Sequence, residues 1–352
     1  MMRDSIVCTD GLEAMFTSLA GVDDQTILAS LRSYGSPDAA AKSILSAFRA
    51  MVSAPPLLLS GGVTPVHRLG IVGAASVPTA VWPYLILAEL FRIPVKVKVP
   101  ASDVHHLMAL QEIIRQSFEA CVTGDVGWNV STQAGDELVA LGFWDDCDRI
   151  LVFGSDATVD RFHEHFNEPG RVIGFGHVES LLLVDFENVR TDSRWMIDLL
   201  AFDHIGCLAP RTVVPVDNCS VNDLVDVMLG KLNGQVSPNI ERAVTLRQIF
   251  HTFMVSGHPA WLSADGMWLL SSDDSIVTSL VPGHLRIVRP SAVGASKCNI
   301  GAVSAPTNQA STSPDIELLM ARATWNCRWG MAQFPTMLWR NGGVSIVTTL
   351  CR

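Results

Sequence analysis

A thiol on a glycine-led loop is the group in this sequence best suited to covalent chemistry. Cys207 lies in Asp203-His204-Ile205-Gly206-Cys207-Leu208-Ala209-Pro210, between a predicted helix (SRWMIDLLAF) and a predicted strand (RTVVPV). Gly206 lets the backbone turn tightly and leaves N–H groups unused. A thiolate there can attack a carbonyl carbon, and its own N–H can donate to the oxyanion that forms. His204 is a candidate base or a structural loop histidine. The other cysteines, Cys8, Cys121, Cys147, Cys219, Cys298, Cys327 and Cys351, form no C-x-x-C pair. No His/Cys spacing suggests zinc, so no metal is expected. Each of these thiols reads as a reduced, buried small hydrophobe.

Three further segments could hold a phosphate or a ribose. In Phe153-Gly154-Ser155-Asp156 a buried strand ends and a helix begins, which offers free N–H groups to an anion. Ser155 or Asp156 would equally serve as a plain N-cap. Lys98 closes the alternating strand PVKVKV and could reach a ribose or phosphate, or stand solvated at an edge. Gly174-Phe175-Gly176-His177 resembles the start of a dinucleotide fingerprint, but the third Gly is missing and a strand follows.

These residues need elements to place them. Residues Asp10 to Met51 have helical spacing, and Ser53 to Gly62 reads as a connector. Arg68–Gly73, Pro94–Val99, Asp148–Gly154, Arg171–Gly174 and Ser180–Asp185 read as strands. Thr79–Phe91, Asp103–Ala120 and Asp156–Phe166 read as helices between them. Such alternation predicts a parallel sheet covered on both faces. His258 to Val303 reads as short strands and turns, Ala305 to Pro314 as a polar loop, and Val344 to Leu350 as a strand-like tail. The expected division is a cofactor lobe over 1–190, helical over 1–60, a catalytic lobe over 191–330, and a C-terminal segment over 331–352.

Composition narrows the function classes. The chain has 352 residues, 48% hydrophobic and 17% charged, with a formal net charge of −10. It is long enough for two lobes. No Lys/Arg run could track a nucleic-acid backbone. The first residues carry Asp4, Asp10 and Glu13 and lack a secretory apolar core, and Val77–Phe91 is too short to span a bilayer. The sequence therefore reads as cytoplasmic. Its apolar richness suits a homo-oligomer or a partner subunit.

The ordered segments together resemble a family. FDHIGCLAPRTVVPV is similar to the cysteine loop of the aldehyde dehydrogenase superfamily, and most similar to acyl-CoA reductases of the type that supplies aldehyde for bacterial luminescence. GAASVPTAVWP, KVPASD, LVFGSDATV, IGFGHVESLLLVD and NCRWGMAQFPTMLWRNGG resemble further segments of that family in the same order. The resemblance implies an α/β, aldehyde dehydrogenase-like fold: a Rossmann-like cofactor lobe, an α/β catalytic lobe and a shortened N-terminus. It implies Cys207 as the acyl-accepting residue, with Ser76 where the family places an oxyanion Asn and His204 where Gln is usual. It implies cofactor contacts from Lys98, Gly154, Ser155, Gly174 and His177.

The implied reaction is NADPH-dependent reduction of an acyl thioester, from coenzyme A or an acyl carrier protein, to an aldehyde. NADPH is preferred over NADH because Val, Pro and Ala follow Lys98 and Asp103 comes only later. Oxidation of an aldehyde needs a base to activate water. The family's Glu is absent from the stretch around Gly174–His177, and Glu179 is displaced from it, which favours thioester reduction. Acyl phosphate reduction, aldehyde dehydrogenation, a cysteine hydrolase or thioesterase, and a non-catalytic relative remain as alternatives.

Overall fold

The computed structural model describes residues 16–36, 38–53, 64–74, 77–118, 127–272, 281–295, 299–307, 313–341 and 343–351. Most of the connector expected over Ser53–Gly62, the position of Ser76, and Cys8, Cys121 and Cys298 lie outside these residues. The chain divides into two compact units, one of residues 1–177 and 334–352 and the other of Val178–Gln333. The expected lobe boundary at 190 therefore falls inside the second unit. The reason is pairing: the strand beginning at Glu179 joins the second sheet and not the first.

The first unit holds a five-stranded sheet in the order β3-β2-β1-β4-β5. The strands are β1 (Leu69–Val72), β2 (Val95–Lys98), β3 (Trp128–Ser131), β4 (Arg149–Phe153) and β5 (Val172–Phe175). Every neighbouring pair is parallel. The sequence Ile150-Leu-Val-Phe153 is buried throughout. Such a continuous apolar run is what a strand covered on both faces requires. Helix Trp82–Leu90 is almost wholly buried too, with Pro83 in its first turn, where its missing N–H is harmless. Chain order reverses between β1 and β4, so the carboxyl ends of these strands form the crevice in which open α/β sheets bind ligands.

The expected strand-like tail at Val344–Leu350 forms instead a two-residue strand, Val344–Ser345, and a short helix, Ile346–Thr349. Its last carbonyls need partners. The Arg149 guanidinium supplies them, donating to the oxygens of Thr348, Thr349 and Cys351.

The second unit holds a seven-stranded sheet in the order β12-β11-β6-β7-β10-β9-β8. The strands are β6 (Glu179–Val184), β7 (Thr212–Pro215), β8 (Ala260–Leu262), β9 (Leu269–Ser272), β10 (His284–Ile287), β11 (Ile300–Ala305) and β12 (Trp325–Arg328). Only β8 pairs antiparallel. Along β6, Leu182 and Val184 pack with Trp195, Leu199, Val213 and Trp268 on one face. Leu181 and Leu183 pack with Val214, Ile300 and Leu319 on the other. This period-two division buries both faces.

Asp198 ties the helix Trp195–Leu200 to the segment after β12. Its carboxylate accepts from Ser304 Oγ at 2.6 Å and from the N–H groups of Gly330 at 2.9 Å and Ala332 at 2.7 Å. Gln333 adds bonds to the carbonyls of Asp198 and Ala201. Burial pushes the Asp198 pKa up to about 6 despite these donors. A raised folded pKa contributes stability that is full below the ordinary value of 3.8 and is lost as pH rises through 6. The interval corresponds to about 3 kcal/mol. Asp198→Asn should remove that fall between pH 4 and pH 7 in denaturant titrations. The same fall in the variant would contradict the assignment.

Candidate active site

The cysteine loop is built on an unusual turn. Helix Trp195–Leu200 stops, and Phe202, Asp203 and His204 then take left-handed φ angles of 50°, 54° and 60°. Three such non-glycine residues cost roughly 3–6 kcal/mol. The turn persists because each of its carbonyls is occupied. Phe202 O accepts from Ile205 N–H at 3.1 Å, Asp203 O from Arg242 Nη2 at 3.0 Å, and His204 O from Arg211 Nη2 at 3.1 Å. Arg242 also pairs with the Asp203 carboxylate at 2.7 Å. Charge-assisted bonds of this kind contribute about 1.5–3 kcal/mol each, the same order as the strain.

His204 then closes the loop across its base. The residue is fully buried. One ring nitrogen, Nδ1, accepts from Gly283 N–H at 2.9 Å, so the ring proton sits on Nε2, which donates to Pro210 O at 2.8 Å. Burial, with Arg211 next in weight, lowers its pKa to about 3. His204 is therefore neutral with both nitrogens committed. This corrects the expectation of a catalytic His204: it holds the loop and has no lone pair to offer as a base.

Cys207 stands at the tip. A turn from Gly206 O to Ala209 N–H leaves the N–H groups of Cys207 and Leu208 inside it, and both donate toward the Cys207 sulfur. Its carbonyl accepts from Ser180 Oγ at 3.1 Å. Cys207 is the exposed thiol among the described cysteines. Protein packed around the sulfur raises the thiol pKa, while the two N–H groups and then Arg211 pull it down. The thiols of Cys147 and Cys219 are pushed up to about 12 by burial, and Cys327 higher still. Such thiols are inert at neutral pH.

Glu179 is buried, with one carboxylate oxygen engaged and the other, Oε2, without a partner among the described residues. Its side chain is 1% exposed and pairs with Arg286 at 3.3 Å, with Thr212 Oγ1 donating to the same oxygen.

The sequence-derived cofactor residues all lie in the first unit, at or near the carboxyl ends of β2, β4 and β5. Lys98 ends β2, half-buried, and makes no hydrogen bond or ion pair among the described residues. Ser155 caps helix Asp156–His165, accepting from Thr158 N–H at 3.3 Å. Gly154 precedes it at the strand end. Gly174 has a packing reason: a Cβ there would collide with Val159 on that helix. At His177 the backbone N–H donates to Asp156 Oδ1 at 2.8 Å, while the buried Nε2 has no partner among the described residues. Among the described residues no group of His, Cys, Asp and Glu could hold a metal. None of the described helices is long and apolar enough to cross a membrane.

Comparison with known proteins agrees with this architecture. Residues 96–242, which include β3, β4, β5, β6, β7 and the whole cysteine loop, match the acyl-CoA reductase (LuxC) family. Over that part the chain is similar to the acyl-CoA reductase (LuxC) family, and solved structures show that its fold is that of the aldehyde dehydrogenases. A putative methylmalonate-semialdehyde dehydrogenase from Sinorhizobium meliloti complexed with NAD is 14% identical. It aligns over 98% of this chain and 87% of its own, with a TM-score of 0.63. An oxidoreductase from Marinobacter aquaeolei is 10% identical over 97% and 83%, with a TM-score of 0.69. The Mycobacterium tuberculosis aldehyde dehydrogenase complexed with NAD+ is 13% identical over 91% and 76%, at 0.65. No curated protein matches the sequence.

Sequence reasoning on this chain missed Arg242, Arg211, Gly283 and Ser180. Nothing in Phe-Asp-His announces a left-handed turn, so the cations that hold it had no visible target. Because His204 is neutral and committed, the rate of Cys207 alkylation by iodoacetamide should rise with pH toward the ordinary thiol value of 9.0 and beyond. A titration step near pH 6.5 in that rate would contradict the geometry.

Proposed function

We propose that the chain reduces an acyl thioester, acyl-CoA or an acyl group on a carrier protein, to an aldehyde through an acyl-Cys207 intermediate. The observation that carries this reading is an exposed thiol facing two backbone N–H groups, beside a His204 whose two ring nitrogens are both committed. Thioester exchange suits such a site. The Cys207 thiolate attacks the acyl carbon, the C–S bond to the donor breaks, and the donor leaves as a thiolate of similar basicity. The Cys207 N–H, with Ser76 as the proposed side-chain donor, stabilises the oxyanion. A nicotinamide cofactor supplies hydride when bound. The oxyanion left by hydride addition re-forms its carbonyl, the C–S bond to Cys207 breaks, and the aldehyde departs with the Cys207 thiolate restored. A cysteine hydrolase would need a base to activate water, and His204, with both ring nitrogens committed, is not one.

The residues of the first unit fit a dinucleotide. Lys98 makes no hydrogen bond among the described residues at the carboxyl edge of the sheet, and Gly154 and Ser155 lie where chain order reverses. Lys98, Gly154, Ser155, Gly174 and His177 would hold it, with NADPH as the expected form. One observation favours NADH: Asp103, 7% exposed, lies within electrostatic reach of Lys98. An acid there would suit ribose hydroxyls better than a 2′-phosphate.

Purified protein given an acyl-CoA and NADPH should form aldehyde, and Cys207→Ala should lose at least about 10³ of that rate. Acid release without cofactor, or full turnover in Cys207→Ala, would sink the reading. Asp103→Asn decides the cofactor. A tenfold or larger shift of kcat/KM toward NADPH would identify NADH as the native donor, and an unchanged ratio would keep NADPH.

A further inference from the structure

We infer that Arg242 is the positioning residue for Cys207, a guanidinium that holds the left-handed turn on which the cysteine loop is built. The inference rests on Cys207 being the acyl acceptor. Arg242 lies in the first turn of helix Ile240–Ser256, whose N-cap Asn239 accepts from the Arg242 N–H at 3.0 Å. Its side chain is 5% exposed. Three of its nitrogens have directed partners: Nη1 with Asp203 Oδ1 at 2.7 Å, Nη2 with Asp203 O at 3.0 Å, and Nε with Pro282 O at 3.2 Å. The Trp268 ring lies against the guanidinium at 5.6 Å.

The third bond links two supports. Pro282 precedes Gly283, whose φ of +85° and close approach to Met267 O exclude a side chain. Gly283 N–H is the donor that fixes His204. Arg242 therefore grips the middle residue of the left-handed turn directly and, through Pro282-Gly283, the residue that closes the loop. A planar fork can satisfy three acceptors in fixed directions, and an ammonium cannot. Arg242 touches no reacting atom. Its effect passes through the backbone to the turn that carries the Cys207 and Leu208 N–H groups.

The test is alkylation of Cys207 by iodoacetamide in the full chain, followed by peptide mass, alongside steady-state kinetics with an acyl-CoA and NADPH. In Arg242→Ala the alkylation rate at pH 8 should fall at least tenfold, with its pH profile moved to higher pH. The kcat should fall at least tenfold while KM for the nicotinamide cofactor stays within twofold. Arg242→Lys should recover part of both losses. A folded Arg242→Ala whose alkylation profile superimposes on the wild type would overturn the inference. If that variant does not fold, Asp203→Ala carries the test, since the Asp203 side chain is 56% exposed. It should slow alkylation at least threefold, and an unchanged profile would overturn the inference equally. Alkylation uses neither acyl donor nor cofactor. An altered profile in a protein whose wild type turns over no thioester would therefore reject the reductase reading and leave the positioning role standing.

Discussion

The pairing of backbone carbonyls with two buried guanidinium groups, at the turn Phe202–His204, is the constraint on which the reactive loop depends. A left-handed turn of three side-chain-bearing residues does not persist by itself. Here Arg242 and Arg211 occupy the carbonyls of Asp203 and His204, and the His204 ring spans the loop to Pro210 and Gly283. The loop between is closed at its base, and its tip carries Cys207. A rigid frame of this kind fixes N–H directions before any substrate arrives, which is where electrostatic stabilisation of an oxyanion is most effective.

The polar groups around the loop are used for architecture. Asp198 anchors the segment at Gly330–Gln333, Glu179 is locked to Arg286 and Thr212, and Ser180 holds the Cys207 carbonyl. Among the described residues these groups and both nitrogens of His204 are engaged in holding the loop, and Cys207 stands beside two backbone donors. That arrangement suits chemistry in which a thiol replaces a thiol.

Much of the first sheet was legible because its strands are short, continuously apolar runs between turn residues, as in Ile150–Phe153 and Val95–Val99. Gly206 and the order of the family-like segments single out Cys207 in the sequence, and the structure places it at the tip of the loop, exposed. The lobe boundary was not, because Ser180–Asp185 reads as one more strand of an alternating series, and only its partner β7 reveals which sheet it joins. For His204 the sequence left a base and a structural loop histidine open, and the structure decides for the second. A histidine three residues from a cysteine looks like a base in sequence, while its burial and its two partners come from Pro210 and from the distant Gly283. Gly174 was read as a cofactor contact, and its absent side chain answers to Val159 on the following helix. The Val344–Leu350 tail has strand-forming residues, yet Arg149 collects its carbonyls into a helical end.

The central claim is that Cys207 carries the acyl group between donor and aldehyde. Intact-protein mass spectrometry after incubation with an acyl-CoA, in the absence of cofactor, tests it most directly. The account predicts one added acyl mass, located on Cys207, absent in Cys207→Ala and discharged as aldehyde when NADPH or NADH is supplied. An unmodified protein that nevertheless produces aldehyde with cofactor, or an acyl adduct that persists in Cys207→Ala, would contradict it.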